Sequence, residues 1–215
     1  MTAYFLLLSI TAFFAYASAS ISTQALASRY LFHRSLRRLG RGNIWISNFW
    51  RLFKLSGAVK LTLLEVCKAV LPILLGGLLL GFKGKAPVGM AFAGFCVVMG
   101  RLWPVFNRFR GCHACVALAV AGLFGNPSVG IAAAVVCAGV IWFSRYLTLG
   151  AIAEALIVVV TCALVVDDTL VSRLLMVTAA LVILRHIPLL WQLNRGREER
   201  LSFQEDLTYK LDQKF

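Results

Sequence analysis

The 215-residue chain has little charge, and it is especially poor in acidic residues. Only 14% of its residues are charged, and 9 Asp and Glu stand against 22 Lys and Arg. The hydrophobic fraction is 60% and the mean hydropathy is +0.82. A chain of this size cannot bury so much apolar surface in one soluble core. The composition excludes an ordinary soluble domain and predicts an all-α polytopic membrane protein.

The usual signatures of disulfide-rich, metal-binding and hydrolytic proteins are also missing. The six cysteines are scattered and mostly lie in or beside apolar stretches, which is typical of cysteine used as a small hydrophobic residue. Cys112 and Cys115 form a C-x-x-C pair with His113 inside it, but no second ligand pair stands at metal spacing. The sequence contains neither a recognisable Ser-His-Asp set nor an H-x-x-x-x-D motif. We therefore expect no metal and no cofactor.

Long apolar stretches are what the chain has instead. Each is long enough to cross a bilayer as a helix, at about 1.5 Å per residue. They are residues 3–27, 58–82, 86–106, 113–143, 149–166 and 170–190. Residues 113–143 divide into two helices at Gly125-Asn-Pro-Ser128, because an Asn-Pro turn after a glycine ends a helix. The sequence therefore predicts seven transmembrane helices in a single domain, residues 1–215.

Basic residues are distributed unevenly between the two sides that seven crossings create. One set of loops, with the C-terminal tail, holds 16 Lys and Arg, whereas the opposite loops hold 3 and the acidic pair Asp167-Asp168. Basic loops are retained in the cytoplasm. The bias predicts an N-terminus outside, a cytoplasmic C-terminus, cytoplasmic loops at about 29–56, 106–113 and 144–148, and a cytoplasmic tail at 191–215.

Two of the basic loops also carry aromatic residues and glycines. Residues 29–56 combine 7 Lys and Arg with interleaved aromatic residues, among them Trp45, Phe49 and Trp50, as an interfacial segment does. Residues 100–115 gather three arginines and one histidine around Pro104 and two glycines. Arginine suits phosphate oxygens, and glycine lets backbone N–H groups approach an anion. Two interpretations stay open, an anion-binding site and ordinary basic cytoplasmic loops.

Some ionisable residues fall inside predicted helices, where a charge is costly. Glu65 and Lys68 stand three residues apart on one helix face, so they either pair within the helix or line a polar cavity. Glu154 is alone in its helix, and we expect it to face Arg145 or another cation.

Several motifs follow one another along the chain. Residues 19–22 read A-S-I-S, residues 35–51 read S-L-R-R-L-G-R-G-N-I-W-I-S-N-F-W-R, and residues 100–114 read G-R-L-W-P-V-F-N-R-F-R-G-C-H-A. Shorter motifs are S-G at 56–57, E-V-C-K-A at 65–69, R-Y-L-T-L-G-A at 145–151 and R-H at 185–186. In order and spacing this set resembles the motifs of the bacterial acyl-phosphate glycerol-3-phosphate acyltransferases, the PlsY family.

The resemblance covers nearly the whole chain and implies a seven-helix enzyme of the bacterial inner membrane with its conserved loops in the cytoplasm. It implies transfer of a fatty acyl group from acyl phosphate to glycerol 3-phosphate, which gives 1-acylglycerol 3-phosphate for phospholipid synthesis. The expected partners are these substrates and membrane lipids, with no nucleic acid, and we expect a monomer. The candidate catalytic residues are His186, Arg101 and His113. The candidate substrate-binding residues are Ser20, Arg37, Asn43, Ser47, Asn48, Arg51, Arg110, Gly111, Arg145 and Thr148.

Departures from the family pattern fall at polar positions. Arg41 stands where the family has serine, Arg101 replaces histidine, His113 replaces lysine, Cys112 replaces glycine and Leu189 replaces asparagine. The arginines keep or add positive charge, whereas a Cβ at position 112 would obstruct backbone N–H groups from closing on a phosphate. Three hypotheses follow: an active acyltransferase, an impaired paralogue that serves as a lipid-binding or regulatory subunit, and a small transporter. The transporter ranks last because the sequence lacks an inverted repeat.

Overall fold

The protein is helical throughout the part of the chain that the structure describes. This computed structural model describes residues 2–30, 46–111, 113–196 and 201, without the side chains of residues 3 and 46–55. The helices are α1 Thr2–Ser20, α2 Thr23–Tyr30, α3 Ile46–Gly81, α4 Ala86–Leu102, α5 Cys115–Gly125, α6 Pro127–Ser144, α7 Leu147–Val165 and α8 Thr169–Asn194, with a 3-10 turn Val105–Asn107. These described residues contain no strand, and the predicted all-α class is confirmed.

The first predicted span, residues 3–27, is not one straight helix. α1 and α2 are bent by 52° at a break between them. Ser22 begins the second helix, because its Oγ accepts a hydrogen bond from the Ala25 amide at 3.3 Å. On the other side of the break, the Lys68 ammonium donates to the carbonyl oxygens of Ala19 and Ile21. A helix end leaves such carbonyls without intrahelical donors, so a lysine from α3 stabilises the bend.

The second predicted span begins earlier than its hydrophobic pattern indicates. α3 starts at Ile46 rather than at residue 58, so residues 46–56, predicted to be an interfacial loop, form its first turns. No proline or glycine interrupts residues 46–56. The glycine at position 57 costs a helix only about 1 kcal/mol relative to alanine. Residues 29 and 30 of that predicted loop end α2, and residues 31–45 lie outside the described residues.

α4 is the central helix of the described bundle. It packs against α1, α3, α5 and α8. Within its apolar window 61% of the residues are buried, compared with 22% to 39% in the other four long spans. Small residues allow the close packing, because a Cβ at Gly89 would overlap the carbonyl oxygen of Gly76 on α3. The loop that follows α4 therefore emerges at the centre of the bundle end.

The predicted interruption at residues 125–128 is confirmed. α5 ends at Gly125, and α6 begins at Pro127, whose missing N–H is no loss in the first turn of a helix. Asn126 lies between them and caps α6, since its Oδ1 accepts a hydrogen bond from the Ser128 amide at 3.0 Å. Asp168 caps α8 in the same way.

Among the described residues, five helices are long and apolar enough to cross a membrane, and the bent pair α1–α2 makes six. α5 is apolar but has only 11 residues, which is about 16 Å of helix against roughly 30 Å of bilayer hydrocarbon. Large apolar side chains face outward, among them Phe13 at 77%, Leu164 at 78% and Phe143 at 87% exposure. An outer surface of this kind suits lipid. The protein is an all-helical polytopic membrane protein.

Candidate active site

The loop between α4 and α5 is fastened to α1 at its start. The Tyr16 hydroxyl donates a hydrogen bond to the Trp103 carbonyl oxygen at 2.7 Å. Arg108 and Phe109 then adopt positive φ angles of 54° and 58°, which reverse the chain direction. This left-handed conformation costs an ordinary residue about 1–2 kcal/mol. The reversal leaves the Arg110 side chain exposed.

Gly111 brings the loop back against the end of α4. A Cβ at this position would overlap the carbonyl oxygens of Arg101 and Leu102. The close approach therefore requires glycine for packing alone, whether or not a phosphate binds nearby. Gly111 thus sets the path on which the chain continues towards His113.

Three predicted site residues from three separate elements meet beneath this loop. His113 comes from the loop, Thr148 from the first turn of α7 and His186 from α8. The His113 Nε2 lies 3.1 Å from the Thr148 Oγ1. The ring centroids of His113 and His186 are 5.1 Å apart. We name these three residues the histidine cluster.

His186 is the inner ring of the histidine cluster, and His113 is the outer one. Thr148 and His186 are buried, and His113 is half-buried. The His186 Nδ1 lies 2.7 Å from the Val182 carbonyl oxygen, which can only accept a hydrogen bond. This partner assigns the proton of the neutral ring to Nδ1. The Nε2 of His186 is buried and has no hydrogen-bond partner among the described residues, so it carries an unused lone pair.

The outer ring of the histidine cluster is neutral at physiological pH. Burial lowers the pKa of His113 from its usual 6.5 to about 3, and electrostatic interactions with His186 and Arg101 act in the same direction. At the position where the family has a cationic lysine, this chain therefore presents a neutral hydrogen-bonding ring. A cationic His113 would require a bound anion to raise that pKa.

A second polar group, which we name the charged cluster, lies where α1, α2, α3 and α4 meet. Arg101 donates to Glu65 Oε1 in a buried ion pair, and Gln24 Nε2 donates to the same oxygen at 3.0 Å. Lys68 joins them by donating to Thr23 Oγ1 at 3.2 Å and to the carbonyls of the α1–α2 break. Glu65, Lys68 and Arg101 line a narrow cleft between these helices. Glu65 therefore lines a polar cleft, as one of its two predicted alternatives has it, and pairs there with Arg101 of α4.

The remaining predicted site residues are dispersed. Ser20 is buried, and its hydroxyl donates to the Tyr16 carbonyl oxygen at 2.8 Å. Arg145 is exposed after α6 with a φ of 62°, and its carbonyl oxygen accepts a hydrogen bond from the Leu201 amide at 2.9 Å. Five predicted side chains lie outside those that the structure describes: Arg37, Asn43, Ser47, Asn48 and Arg51.

Gln24 is absent from the predicted site, although it is buried within the charged cluster. The polar run at residues 18–24 is a usable signal, because small polar residues within a span favour close helix contact or a polar cavity. Its partner Glu65 is 41 residues away in sequence, and Arg101 is another 36 residues beyond Glu65. Pairing over such distances leaves no local pattern to read.

Comparison with known proteins identifies the protein family to which this chain belongs. The profile of the glycerol-3-phosphate acyltransferase family matches residues 9–196. The glycerol-3-phosphate acyltransferase of Thermoanaerobacter sp. (strain X514) is 27% identical, over 92% of this chain and 98% of its own length. That of Aromatoleum aromaticum is 32% identical, over 87% of this chain and 93% of its own length. The chain belongs to the glycerol-3-phosphate acyltransferase family.

A solved structure agrees with this family in fold. The crystal structure of PlsY (YgiH), an integral membrane glycerol 3-phosphate acyltransferase, in its glycerol 3-phosphate form has a TM-score of 0.74 and 25% identity. The match covers 91% of this chain and 96% of that one. The lysophosphatidic acid form shares the fold, with a TM-score of 0.75 and 24% identity. The family resemblance that the motifs indicated is confirmed.

Proposed function

We propose that this chain transfers a fatty acyl group from acyl phosphate to the 1-hydroxyl of glycerol 3-phosphate. The hydroxyl oxygen bonds to the acyl carbonyl carbon, and the bond from that carbon to the phosphate oxygen breaks. The products are 1-acylglycerol 3-phosphate and inorganic phosphate. The reaction involves no oxidation or reduction and needs no cofactor, because acyl phosphate supplies both the acyl group and the leaving group.

One observation carries the proposal. Positions that three separate family motifs match, His113, Thr148 and His186, come together as the histidine cluster. The cluster lies beneath the basic loop that follows the central helix. Both substrates carry phosphate, and a basic loop above a buried polar group supports binding of an anionic head with the acyl chain between helices.

His113 is the member of the histidine cluster that we assign to contact with substrate. It is half-buried, whereas the unused Nε2 lone pair of His186 is enclosed behind it. Deprotonation by His186 would require the outer ring to move aside. A departing phosphate oxygen is produced beside the attacking hydroxyl and requires no such movement. In this proposal the phosphate takes the proton, and His186 and Thr148 hold His113 in position.

In this proposal, arginines that are exposed on the loop side supply positive charge for the two phosphates. Arg110 and Arg145 are exposed, which supports a binding role. Arg101 is committed to Glu65, so we assign it to holding the α1–α2 bend against α4. The proposal moves Thr148 to a positioning role and keeps the other predicted substrate-binding residues as they are: Ser20, Arg37, Asn43, Ser47, Asn48, Arg51 and Gly111.

We further propose seven crossings, with the N-terminus outside and the C-terminus in the cytoplasm of a bacterial cell, in its inner membrane, and a monomeric enzyme. Counting the bent pair as one span and α5 as a short one gives seven. The 16-to-3 bias of basic residues supports the orientation. Fusion of a reporter that is active only in the cytoplasm to residue 215 tests it, and an inactive, fully expressed fusion would contradict it.

An assay of the purified protein in detergent tests the reaction. Acyl phosphate with glycerol 3-phosphate should give lysophosphatidate and phosphate in equal amounts, whereas glycerol should not serve as acceptor. A His113→Ala variant should lose at least about 100-fold in rate, if the ring acts at the reacting atoms. Thr161→Val on the far part of α7 is the matched control and should retain activity. Lysophosphatidate binding without any turnover would favour the impaired paralogue instead.

A further inference from the structure

Three side chains capable of binding a metal meet in the bundle, apart from both polar clusters. Cys115 is the first residue of α5, Cys137 lies in α6 and Glu154 lies in α7. The two sulfurs and a carboxylate oxygen all lie within 4.8 Å of one another. The C-x-x-C pair considered from the sequence points elsewhere, since Cys115 faces Cys137 and Glu154, and Cys112 lies outside the described residues.

The environment of Glu154 indicates that this group binds a ligand. Its side chain is 0% exposed, and neither carboxylate oxygen has a hydrogen-bond partner among the described residues. The cation expected from the sequence, Arg145, is exposed at the end of α6 instead. A carboxyl group that is buried without a partner costs several kcal/mol, so an enclosed one indicates an absent partner.

We propose that Cys115, Cys137 and Glu154 bind one Zn²⁺ ion between α5, α6 and α7. Two thiolates and one carboxylate oxygen are ligands that zinc prefers, with Zn–S distances of about 2.3 Å. Two such bonds at a tetrahedral angle separate the sulfurs by less than the 4.8 Å limit that the structure gives. On binding, each thiol and the enclosed carboxyl group of Glu154 release a proton to solvent, and no redox change occurs. The fourth position is left to water or to a neighbouring group.

The position of the site indicates a structural role and an entry path. Glu154 follows Thr148 by six residues, so along α7 the site lies about 9 Å from the histidine cluster. Cys115 is half-buried beside the loop, which lets an ion reach the two buried ligands. Zinc would join the short helix α5 to α6 and α7, and its positive charge would neutralise the coordinated Glu154 carboxylate. The proposal does not depend on the reaction proposed above.

Cobalt substitution tests the site directly. Reduced, metal-free protein in detergent should bind about one equivalent of Co²⁺, with a sulfur-to-metal charge-transfer band and the visible bands of tetrahedral cobalt. Addition of Zn²⁺ should abolish both. Cys137→Ala should lose the charge-transfer band, and Glu154→Gln should weaken binding by at least about 10-fold. Cys162→Ala is the matched control, a buried cysteine on α7 outside the group, and should bind as wild type does.

A second measurement needs no variant, so a misfolded mutant cannot leave the question open. Zn²⁺ should slow alkylation of Cys115 by a small membrane-permeant maleimide at least about 10-fold, while the exposed Cys67 reacts at an unchanged rate. Mass spectrometry of the peptides reports both sites in one sample. Equal rates at Cys115 with and without Zn²⁺ would overturn the proposal. A Cys115–Cys137 disulfide in protein purified without reductant would overturn it as well.

Discussion

The charged cluster and the histidine cluster accommodate their buried polar side chains in opposite ways. The charged cluster keeps a full ion pair, Arg101 with Glu65, and surrounds it with the donors of Gln24 and Lys68. The histidine cluster keeps its outer ring neutral, and the Nε2 of its inner ring has no hydrogen-bond partner in the described part of the chain.

This difference indicates that the charged cluster serves stability and that the histidine cluster serves the reaction. A closed ion pair resists change, because removal of one member leaves an uncompensated charge in a low dielectric. The His186 Nε2, which has no partner among the described residues, can accept a new hydrogen bond without first losing an old one. We therefore expect substitutions in the charged cluster to act on folding and those in the histidine cluster to act mainly on substrate. The predictions below run from the largest expected effect to the smallest.

Glu65→Ala should produce the largest loss of stability. It strands Arg101 in a buried position, and breaking a buried pair in this way costs about 3–5 kcal/mol. Thermal unfolding in detergent measures the loss. The double variant Glu65→Ala with Arg101→Met should recover much of it, since no charge is then left unpaired. Asp167→Ala, an exposed acid, is the control and should change stability by less than about 0.5 kcal/mol. A single variant as stable as this control would refute the contrast.

Gly111→Ala should produce the second-largest loss of stability. Gly111 packs against the backbone of Arg101, a member of the charged cluster, and precedes His113 of the histidine cluster by two residues. The added Cβ overlaps backbone oxygens of Arg101 and Leu102, and such overpacking costs about 1–3 kcal/mol. The forced movement should also shift His113, so the KM for glycerol 3-phosphate should rise together with the loss of stability. Gly139→Ala is the matched control, since nothing lies near its Cβ position. Equal effects of the two substitutions would contradict the prediction.

Acidification should weaken the folded protein through His113. Its pKa is about 3 when folded and about 6.5 when unfolded, so only the unfolded state takes up the proton between these values. The stabilising contribution is complete above pH 6.5 and declines as the pH falls towards 3. At pH 5.5 the loss is about 1.4 kcal/mol relative to pH 7.5. Unfolding at both pH values, compared with His113→Gln, isolates this difference; parallel pH dependences would show that His113 is protonated in the folded state.

Thr148→Val should have the smallest effect on stability. It removes the partner of His113 Nε2 at nearly constant volume and should cost about 0.5–1.5 kcal/mol. Activity should fall more than stability does, because the outer ring loses its orientation. Thr161→Val is the matched control on the same helix, where the hydroxyl donates only to its own backbone. If the activity ratio of the two variants were one, Thr148 would have no positioning role.

The sequence predicts best what short stretches of residues decide. Asn126 before a proline ends one helix and caps the next, and the structure follows that pattern. The long apolar stretches likewise become helices. The bend after Ser20 is harder to foresee, because neither proline nor glycine marks it and the lysine that stabilises it belongs to another helix. The start of α3 at Ile46 was missed because hydropathy measures apolar content, whereas helix continuation needs only the lack of a breaker.

The candidate site shows the same division. Motif order led to His113, Thr148 and His186, and the structure joins them. It did not reveal that Arg101 would be neutralised by Glu65, since that choice depends on how α3 and α4 pack. The spacing of the cysteines also did not predict that Cys115 would lie beside Cys137 and Glu154. That contact depends on how α5, α6 and α7 pack together.

The bend between α1 and α2 has a consequence for how the protein is made. Lys68 follows Ile21 by 47 residues, and at 5–20 residues per second a ribosome needs roughly 2–9 s to cover that distance. For that interval the nascent first span has no lysine to satisfy the carbonyls of its break. In lipid, a continuous helix would supply intrahelical donors to these carbonyl oxygens, so we expect the first span to insert as a straight helix. It would then bend only when α3 arrives, which makes the kink a late event in biogenesis.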